Sequence, residues 1–491
     1  MSHFNVLTTS ATELQQLLAS NKTTSVQIIT AYLSQIEAHN SKVNAFISIA
    51  PHDILLRIAT SLDNERAQGR VRGPLHGIPI VLKDAFITAS ELGMGTTAGS
   101  RALIGAKASK NSAIAQRLVD AGLIILGKTN MTEFAGMKMT MMMPGWSAAG
   151  GQTLSPYVGR IEEGETLLGH SAPGGSSTGS AVAVAAGFSP LAMGTETIGS
   201  IITPASRAAL YALKPTTGLQ DATGLYTLTD SFDSPGPMAK SAADVMALTE
   251  IVLGQSYPRQ GFGTWEGLSA GFLDPAVWKA DEGICRQHEG TAKQMRDDYE
   301  SAIAKIRDRG CSVRHPIELA AVSDLVVDGE AAIMPIACNI CIPSFLGAFD
   351  ECPVGNLKDI VKFNEENKSE CLPPPYTEQN DLLKALYNND DNEEHISTLR
   401  AGLKAVARNM VDTALERENV DMIAAPSDSP LCIHAAAAGY PIATVPLGQL
   451  RYNKRPFGLC LMARAGDDEK LLRFMAAYEA SVSGPRPVPD L

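Results

Sequence analysis

Residues 171–187 read SAPGGSSTGSAVAVAAG, a run of glycines and hydroxyl side chains that leads directly into small apolar residues. Such a stretch predicts a loop whose backbone amides and hydroxyls converge on one place, followed by a tightly buried helix. A phosphate-binding loop is the first alternative, but the Walker A pattern requires a lysine that this stretch lacks. The stretch is therefore a candidate functional loop, while simple capping hydroxyls are the structural alternative.

A second small-residue turn follows at residues 194–201, which read GTETIGSI. It can present Ser200 as a nucleophile together with backbone amides that stabilise an oxyanion. A nucleophilic serine needs a base, and His76 and His170 are the histidines closest in sequence to these motifs. Since the pattern G-x-S-x-G is absent around Ser200, a Ser-His-Asp triad is kept only as an alternative.

Lys83 is the other candidate base. It follows the short apolar run IPIVL at residues 78–82 and precedes Asp84. Such a run predicts a buried strand that delivers a charged pair at its end. Because burial can lower the pKa of a lysine by several units, Lys83 can act as a neutral base. The structural alternative, an exposed lysine at the end of a strand, is disfavoured by the apolar residues before it.

Helical and strand patterns alternate around these motifs. The apolar spacing in residues 10–39 predicts two amphipathic helices, with Thr24 and Ser25 available as caps, and residues 113–127 predict a helix and then a strand. Residues 254–419 are more charged and more helical and predict a peripheral region, after which residues 442–445 return to strand character. The pattern favours an α/β fold in one domain spanning residues 1–491.

Composition narrows the class of protein. The chain has 491 residues, 45% of them hydrophobic, and a formal net charge of −12. It shows no basic patch for nucleic acid or a membrane surface and no apolar run of the ~18 residues that a membrane span needs. The first residues lack a secretory pattern, so a cytoplasmic protein with a small-molecule partner is predicted. The acidic residues are dispersed, except for a predicted solvated turn at residues 390–394.

The eight cysteines predict reduced thiols rather than a disulfide framework, because a chain of this size can build a large core. Cys338 and Cys341 form one C-x2-C pair without a second pair or a histidine at zinc-finger spacing. Small buried thiols are therefore favoured over a metal or redox site, and no metal is expected.

Taken together, these motifs resemble the amidase signature family, and in particular its peptide-amidase-like branch, which includes fungal members. The resemblance covers most of the chain and is strongest from Gly77 to Ser241. It is carried by four segments: GIPIVLKD at 77–84, GKTNMTEF at 127–134, GGSSTGS at 174–180 and GSI at 199–201. Ser176 in the third segment and Ser200 in the fourth stand 24 residues apart, which is the spacing of the corresponding serines in the family. The resemblance implies the amidase signature fold, a large mixed, mostly parallel-type sheet covered by helices on both faces.

The family resemblance also implies a Ser-cisSer-Lys triad and no cofactor. Carried over to this sequence, Ser200 attacks the acyl carbon, Ser176 relays its proton and Lys83 is the terminal base. The peptide bond before Ser176 would be cis. The backbone amides of Thr197, Ile198 and Gly199, with that of Ser200, would form the oxyanion hole. Two further segments that resemble the family, residues 233–239 and 439–448, are interpreted as packing and loop geometry around the site.

The sequence departs from the commonest family pattern at three positions of the nucleophile segment. Glu196 replaces Asp, Ile198 replaces Gly, and Ile202 stands where Arg is usual. A β-branched residue tolerates fewer backbone angles than Gly, so Ile198 can alter the oxyanion hole or make the acyl pocket more apolar. The methionines at residues 141–143 are a second candidate for an adaptable apolar pocket, whereas Trp146 is interpreted as a core aromatic.

The sequence thus predicts a serine hydrolase that cleaves a carboxamide to a carboxylic acid and ammonia or an amine through an acyl-enzyme. Two alternatives stay open. One is acyl transfer, in which an amine or alcohol captures the same acyl-enzyme. The other is a catalytically silent homologue that binds a ligand, which the residues Ile198 and Ile202 keep open. An amidotransferase component that works on charged transfer RNA is disfavoured by the departures at residues 196–202 and by the acidic charge.

Overall fold

The computed structural model describes residues 4–286, 288, 290–337, 341–388 and 393–491. Cys338 of the C-x2-C pair and residues 390–392 of the predicted acidic turn lie outside these ranges. The strands in the described ranges are β1 (Phe46–Ile49), β2 (Pro79–Lys83), β3 (Ile124–Thr129), β4 (Trp146–Ser147), β5 (Gly151–Gln152), β6 (Leu191–Glu196), β7 (Tyr211–Lys214), β8 (Ser234–Ala239), β9 (Ser269–Leu273), β10 (Ser312–Ile317), β11 (Val326–Val327), β12 (Glu330–Ala331), β13 (Met422–Pro426), β14 (Ile442–Gln449) and β15 (Pro456–Ala463).

The α-helices are likewise numbered in chain order. They are α1 (Ala11–Ala19), α2 (Ser25–Val43), α3 (His52–Ala67), α4 (Ala113–Asp120), α5 (Thr178–Ala185), α6 (Ile202–Ser206), α7 (Ala242–Leu253), α8 (Thr291–Asp308), α9 (Ile333–Ala337), α10 (Ile342–Leu346), α11 (Leu357–Glu366), α12 (Lys368–Cys371), α13 (Asn380–Asn388), α14 (Glu393–Glu418), α15 (Leu431–Ala438) and α16 (Asp468–Ser481). In the part of the chain that the structure describes, none of these helices is long and apolar enough to cross a membrane.

Eleven strands form one sheet in the order β1-β3-β2-β6-β8-β7-β14-β15-β13-β9-β10. The large mixed α/β sheet predicted from the sequence is confirmed, but it is not mostly parallel, because six of its ten strand pairs are antiparallel. Its parallel pairs lie in two groups, β3-β2-β6 and β13-β9-β10, whereas the strands between these groups pair antiparallel. The antiparallel middle is the part of the pairing that helix and strand alternation did not predict, because that alternation is typical of parallel crossovers.

The parallel group β3-β2-β6 sets the position of the candidate motifs. In the register, Lys83 lies opposite Thr129 of β3, and Leu82 lies opposite Met193 of β6. Since the carboxyl ends of parallel strands meet at one edge of a sheet, the residues that follow β2, β3 and β6 are brought together there. All residues of these three strands are buried.

The two amphipathic helices predicted near the N-terminus are confirmed as α1 and α2. Ser10 and Glu13 form a capping box at the start of α1, and Thr24 and Gln27 form one at the start of α2. In each box the hydroxyl accepts from a backbone amide of the first turn, which supplies one of the partners that a helix end lacks.

Helix α5 continues directly from the glycine and serine loop, and all eight of its residues are buried. Gly179 is the point of closest approach, because a Cβ atom on it would lie 2.4 Å from the carbonyl oxygen of Ala45 and 2.5 Å from that of Asn130. The small side chains in the segment 178–186 therefore let α5 pack against the backbone beside β1 and β3.

We expect Gly179→Ala to destabilise the fold by about 1–3 kcal/mol, because the added methyl group forces backbone apart. Thermal unfolding followed by circular dichroism measures the effect as a lower midpoint. Gly95→Ala is the matched control, since the nearest atom to its added Cβ would be 4.0 Å away. Equal midpoints for the two variants would contradict the tight contact at Gly179.

Candidate active site

Lys83, the last residue of β2, is completely buried. Its Nζ atom lies 2.7 Å from Ser176 Oγ, 2.8 Å from Thr195 Oγ1 and 3.2 Å from the carbonyl oxygen of Thr195. The strand thus places its terminal amine between the serine loop and the end of β6. Lys83 and Ser176, which were predicted separately as site residues, are in direct hydrogen-bond contact.

Burial lowers the pKa of Lys83 to about 7, because the charged form loses its hydration. The carboxylates of Asp233 and Glu196 act in the opposite direction and raise the pKa, but the effect of burial is larger. Close to neutral pH, a substantial fraction of this lysine is therefore an uncharged amine that can accept a proton.

The serine loop has the backbone geometry that the family resemblance implies, with a cis peptide bond between Gly175 and Ser176. The backbone around it is crowded, since a Cβ atom on Gly175 would lie 2.7 Å from Thr132 Oγ1. Thr132 also donates its backbone amide to the carbonyl oxygen of Ser176, at 3.1 Å, and the Thr178 hydroxyl donates to the carbonyl oxygen of Gly174 at 2.6 Å. The loop is thus fixed on both sides of Ser176.

Ser200 lies in the turn between β6 and α6 and is 8% exposed. This turn is joined to the serine loop through the backbone, because the amide of Ser177 donates to the carbonyl oxygen of Ser200 at 3.1 Å. Gly199 has a φ angle of +74°, and a Cβ there would lie 3.0 Å from Thr203 Oγ1. The positive φ angle therefore favours a glycine just before Ser200, and the Thr203 hydroxyl leaves little room for a side chain there.

Glu196, the last residue of β6, stabilises the same turn through its side chain. Its Oε2 atom accepts hydrogen bonds from the backbone amides of Ile201, at 2.6 Å, and Ile202, at 2.9 Å. The pKa of Glu196 is raised by burial, although the nearby Lys214 partly offsets this rise. Glu196 therefore provides a buried carboxylate that accepts from the backbone at the start of α6, at the position where the family more often has Asp. Ile202, at the position where Arg is usual, is completely buried in the core.

Sequence reasoning assigned residues 233–239 to packing and loop geometry around the site, without naming the carboxylate of Asp233. This carboxylate accepts from the Thr197 hydroxyl at 3.0 Å and from the backbone amides of Leu228 and Thr229 at 3.1 and 3.0 Å. Burial raises the pKa of Asp233 to about 6, while the hydrogen bonds and Lys83 lower it. Asp233 thereby fixes the first residue of the predicted oxyanion turn.

Thr195 is the second residue that sequence reasoning missed. It supplies two of the three neighbours of Lys83 Nζ, one from its hydroxyl and one from its carbonyl group. Its only sequence signal is its position next to Glu196 at the end of an apolar strand, which is too general to identify a partner for Lys83.

The two histidines of the alternative triad lie in other surroundings. His76 Nε2 lies 3.0 Å from the carbonyl oxygen of Leu62, and His170 Nδ1 lies 3.0 Å from Arg455 Nη2. Burial lowers the pKa of both rings, that of His170 to about 4. These ring contacts are made with groups other than the two serines, and the geometry therefore favours Lys83 as the base.

The interpretation of Trp146 as a core aromatic agrees with its 8% exposure and its ring contact with Tyr376, at 4.1 Å between centroids. The methionine run does not act as a unit, because Met141 is 56% exposed and Met142 only 5%. A cavity of 520 Å³ is lined by Ile198 and Gly175 among others, but the methionines at residues 141–143 are not part of its lining. Among the described residues, no group of three or more His, Cys, Asp or Glu side chains is arranged to hold a metal ion.

Comparison with known proteins tests the resemblance to the amidase signature family. The family profile described as Amidase matches residues 27–472. A Schizosaccharomyces pombe protein named as an amidase is 28% identical over 510 residues, which cover 95% of this chain and 84% of the yeast protein. A glutamyl-tRNA(Gln) amidotransferase subunit of Thermobifida fusca is 40% identical over 250 residues, or 51% of this chain and 46% of that protein.

Among solved structures, the peptide amidase of Stenotrophomonas maltophilia is 31% identical and superposes with a TM-score of 0.84 over 98% of this chain and 99% of that enzyme. An amidase family protein of Bacillus anthracis superposes with a TM-score of 0.84 at 25% identity, over 99% of this chain and 93% of that protein. The chain therefore belongs to the amidase signature family, in its peptide-amidase-like branch, and is an enzyme of the amidase class.

Proposed function

We propose that this chain hydrolyses a linear carboxamide to a carboxylic acid and ammonia or an amine, through an acyl-enzyme formed on Ser200. The observation that carries the proposal is the completely buried Lys83, whose Nζ lies 2.7 Å from Ser176 Oγ. A buried amine with a lowered pKa beside a serine hydroxyl is the arrangement that general-base catalysis requires.

The three neighbours of Lys83 Nζ match the needs of a neutral amine. Such an amine has two hydrogens, which the carbonyl and hydroxyl oxygens of Thr195 can accept at 3.2 and 2.8 Å. Its lone pair then faces the hydroxyl of Ser176, which donates to it. The Ser176 oxygen is thereby left with free acceptor capacity for the proton of a second hydroxyl.

The proposed reaction uses this relay in both directions. Ser200 Oγ attacks the amide carbon as its proton passes to Ser176, and the proton of Ser176 passes to Lys83. When the C–N bond breaks, the leaving nitrogen takes a proton back through Ser176 and the acyl group stays on Ser200. A water molecule then attacks the acyl-enzyme while the relay accepts and returns one proton, which releases the acid and restores Ser200.

The oxyanion of each tetrahedral intermediate would be stabilised by the backbone amides of residues 197–200. Support for this role comes from groups that fix the turn: Asp233 accepts from the Thr197 hydroxyl, and Glu196 accepts from two backbone amides just after Ser200. Losing one oxyanion donor typically costs ~3 kcal/mol in the barrier, so a rigid turn is valuable. The scheme uses no metal and no cofactor, and its partner is a small-molecule amide in the cytoplasm.

The pKa of Lys83 predicts the pH dependence of the reaction. Its lowered value of about 7 means that the amine is protonated, and unable to act as a base, below this pH. We expect kcat/KM to rise about tenfold per pH unit below pH 7 and to level off above it. Initial rates from pH 5 to 9 measure this, with circular dichroism at each pH as the control for unfolding. A flat profile would contradict the role of Lys83.

Reaction with a fluorophosphonate tests the nucleophile without knowledge of the substrate. We expect one adduct on the wild type by intact mass and no adduct on Ser200→Ala. Labelling of Lys83→Ala should be slower by a factor on the order of 10²–10⁴, because the general base is removed. Ser344→Ala, at an exposed serine on α10, is the matched control and should label like the wild type. An adduct that persists in Ser200→Ala would assign the nucleophile to another residue.

A further inference from the structure

The cavity beside the nucleophile segment has a volume of 520 Å³, which is within the usual range for small-molecule sites. Its lining includes Ile198 and Thr203, which stand before and after Ser200 in the sequence. It also includes Gly175, which precedes Ser176. The cavity is therefore continuous with both serine motifs, although most of its wall comes from residues far away in the sequence.

The wall of this cavity is mainly apolar and includes Trp278, Leu319 and Ile433. Cys432 adds a thiol next to Gly199, since a Cβ atom on that glycine would lie 3.3 Å from its Sγ. Burial raises the pKa of the Cys432 thiol, so this side chain is uncharged like the apolar residues around it.

Three charged residues line the cavity, and Asp428 is the one whose side chain is largely shielded from solvent, at 9% exposure. Lys279 and Asp281 are exposed to solvent and carry opposite charges. The carboxylate of Asp428 is held by the guanidinium groups of Arg207, at 3.1 Å, and Arg455, at 3.3 Å. A charged ligand group among the apolar side chains would therefore lose hydration, and the shielded carboxylate beside it is already paired with two arginines.

Part of the wall comes from residues 277–284, between β9 and α8. Trp278 is 7% exposed and packs on the ring of His434, with centroids 5.4 Å apart. Ile284 accepts a backbone hydrogen bond from Leu168 at 2.8 Å and is 39% exposed, while Val277 is 72% exposed. Apolar side chains thus continue from the interior of the cavity to its solvent-facing edge.

On the basis of the hydrolysis proposed at Ser200, we propose that this cavity is the acyl subsite and that it takes an uncharged, apolar acyl group. The assignment to the acyl half of the substrate follows from the chemistry of the two serines. The acyl group stays bonded to Ser200 after the amine has left, and Ile198 and Thr203 flank Ser200 in sequence. The nucleophile segment contributes two lining residues and Cys432 lies beside its Gly199, whereas the serine loop contributes Gly175 and Lys83 is absent from the lining.

Ile198 has a defined part in this assignment. Its backbone amide belongs to the proposed oxyanion turn, while its half-buried side chain lines the cavity and packs against the hydrophobic core. The residue that replaces Gly in the commonest family pattern therefore makes the cavity apolar at its border with the nucleophile segment.

Amides of matched length test the proposal. We expect hexanamide to be hydrolysed with a kcat/KM at least roughly tenfold above those of 6-aminohexanamide and the monoamide of adipic acid. N-hexylacetamide instead carries a six-carbon alkyl chain on the amine and distinguishes the two halves of the substrate. A preference for N-hexylacetamide over hexanamide, or equal rates for the neutral and charged acyl groups, would overturn the assignment.

Ile433→Asp adds a carboxylate to the wall and should lower kcat/KM for hexanamide at least roughly tenfold, while raising the ratio of 6-aminohexanamide to hexanamide hydrolysis. Leu319→Asp is a second variant on a different segment, in case the first does not fold. Ile104→Asp is the control, because Ile104 is 53% exposed and lies outside the cavity lining, and it should keep the wild-type ratio. An unchanged ratio in both folded cavity variants would overturn the proposal.

The fluorophosphonate reaction separates failure of the subsite from failure of the hydrolysis. A wild type that forms the Ser200 adduct and hydrolyses amides without regard to acyl charge would overturn the acyl subsite alone. A folded wild type that forms no adduct and hydrolyses none of the four amides would overturn the proposed hydrolysis and the subsite together.

Discussion

The site depends on one constraint: the amine of Lys83 has no access to water. Because β2 ends inside the protein, the charged form of this amine would have to be stabilised entirely by protein groups. Its direct neighbours are the neutral oxygens of Ser176 and Thr195, while the carboxylates of Asp233 and Glu196 act on it without a direct contact. The neutral form of the amine is therefore populated near pH 7. The carboxylates favour the ammonium form that the proposed proton transfer would produce.

The parallel group β3-β2-β6 explains why residues from distant parts of the sequence meet at this amine. Each strand ends at the same edge of the sheet, so Lys83, the loop after Thr129 and the turn after Glu196 are neighbours. The serine loop reaches this edge from the start of α5, which packs closely because Gly179 lies against backbone atoms. Close packing of that helix and the position of Ser176 are thus two consequences of the same small residues.

Much of this arrangement could be predicted from the sequence, because the motifs are local and strongly patterned. The apolar run before Lys83 and the glycine loop before Ser176 each indicate a position in the fold by themselves. The contributions of Thr195 and Asp233 could not be predicted, because they depend on which strands are neighbours, and the central antiparallel pairing was not evident from the alternation of elements. The cavity wall is harder still to predict from the sequence, since residues 277–284, Leu319 and Ile433 converge only in three dimensions.

The unusual nucleophile segment is easier to understand once backbone and side-chain roles are separated. The groups that would stabilise an oxyanion are backbone amides, and their turn is fixed by Asp233, Glu196 and the conformation of Gly199. The side chain of Ile202 is buried in the core, and that of Ile198 lines the adjoining cavity. In the proposed reaction, these two residues would therefore alter packing and the shape of the cavity while the amides keep their supports, which favours altered substrate choice over loss of catalysis.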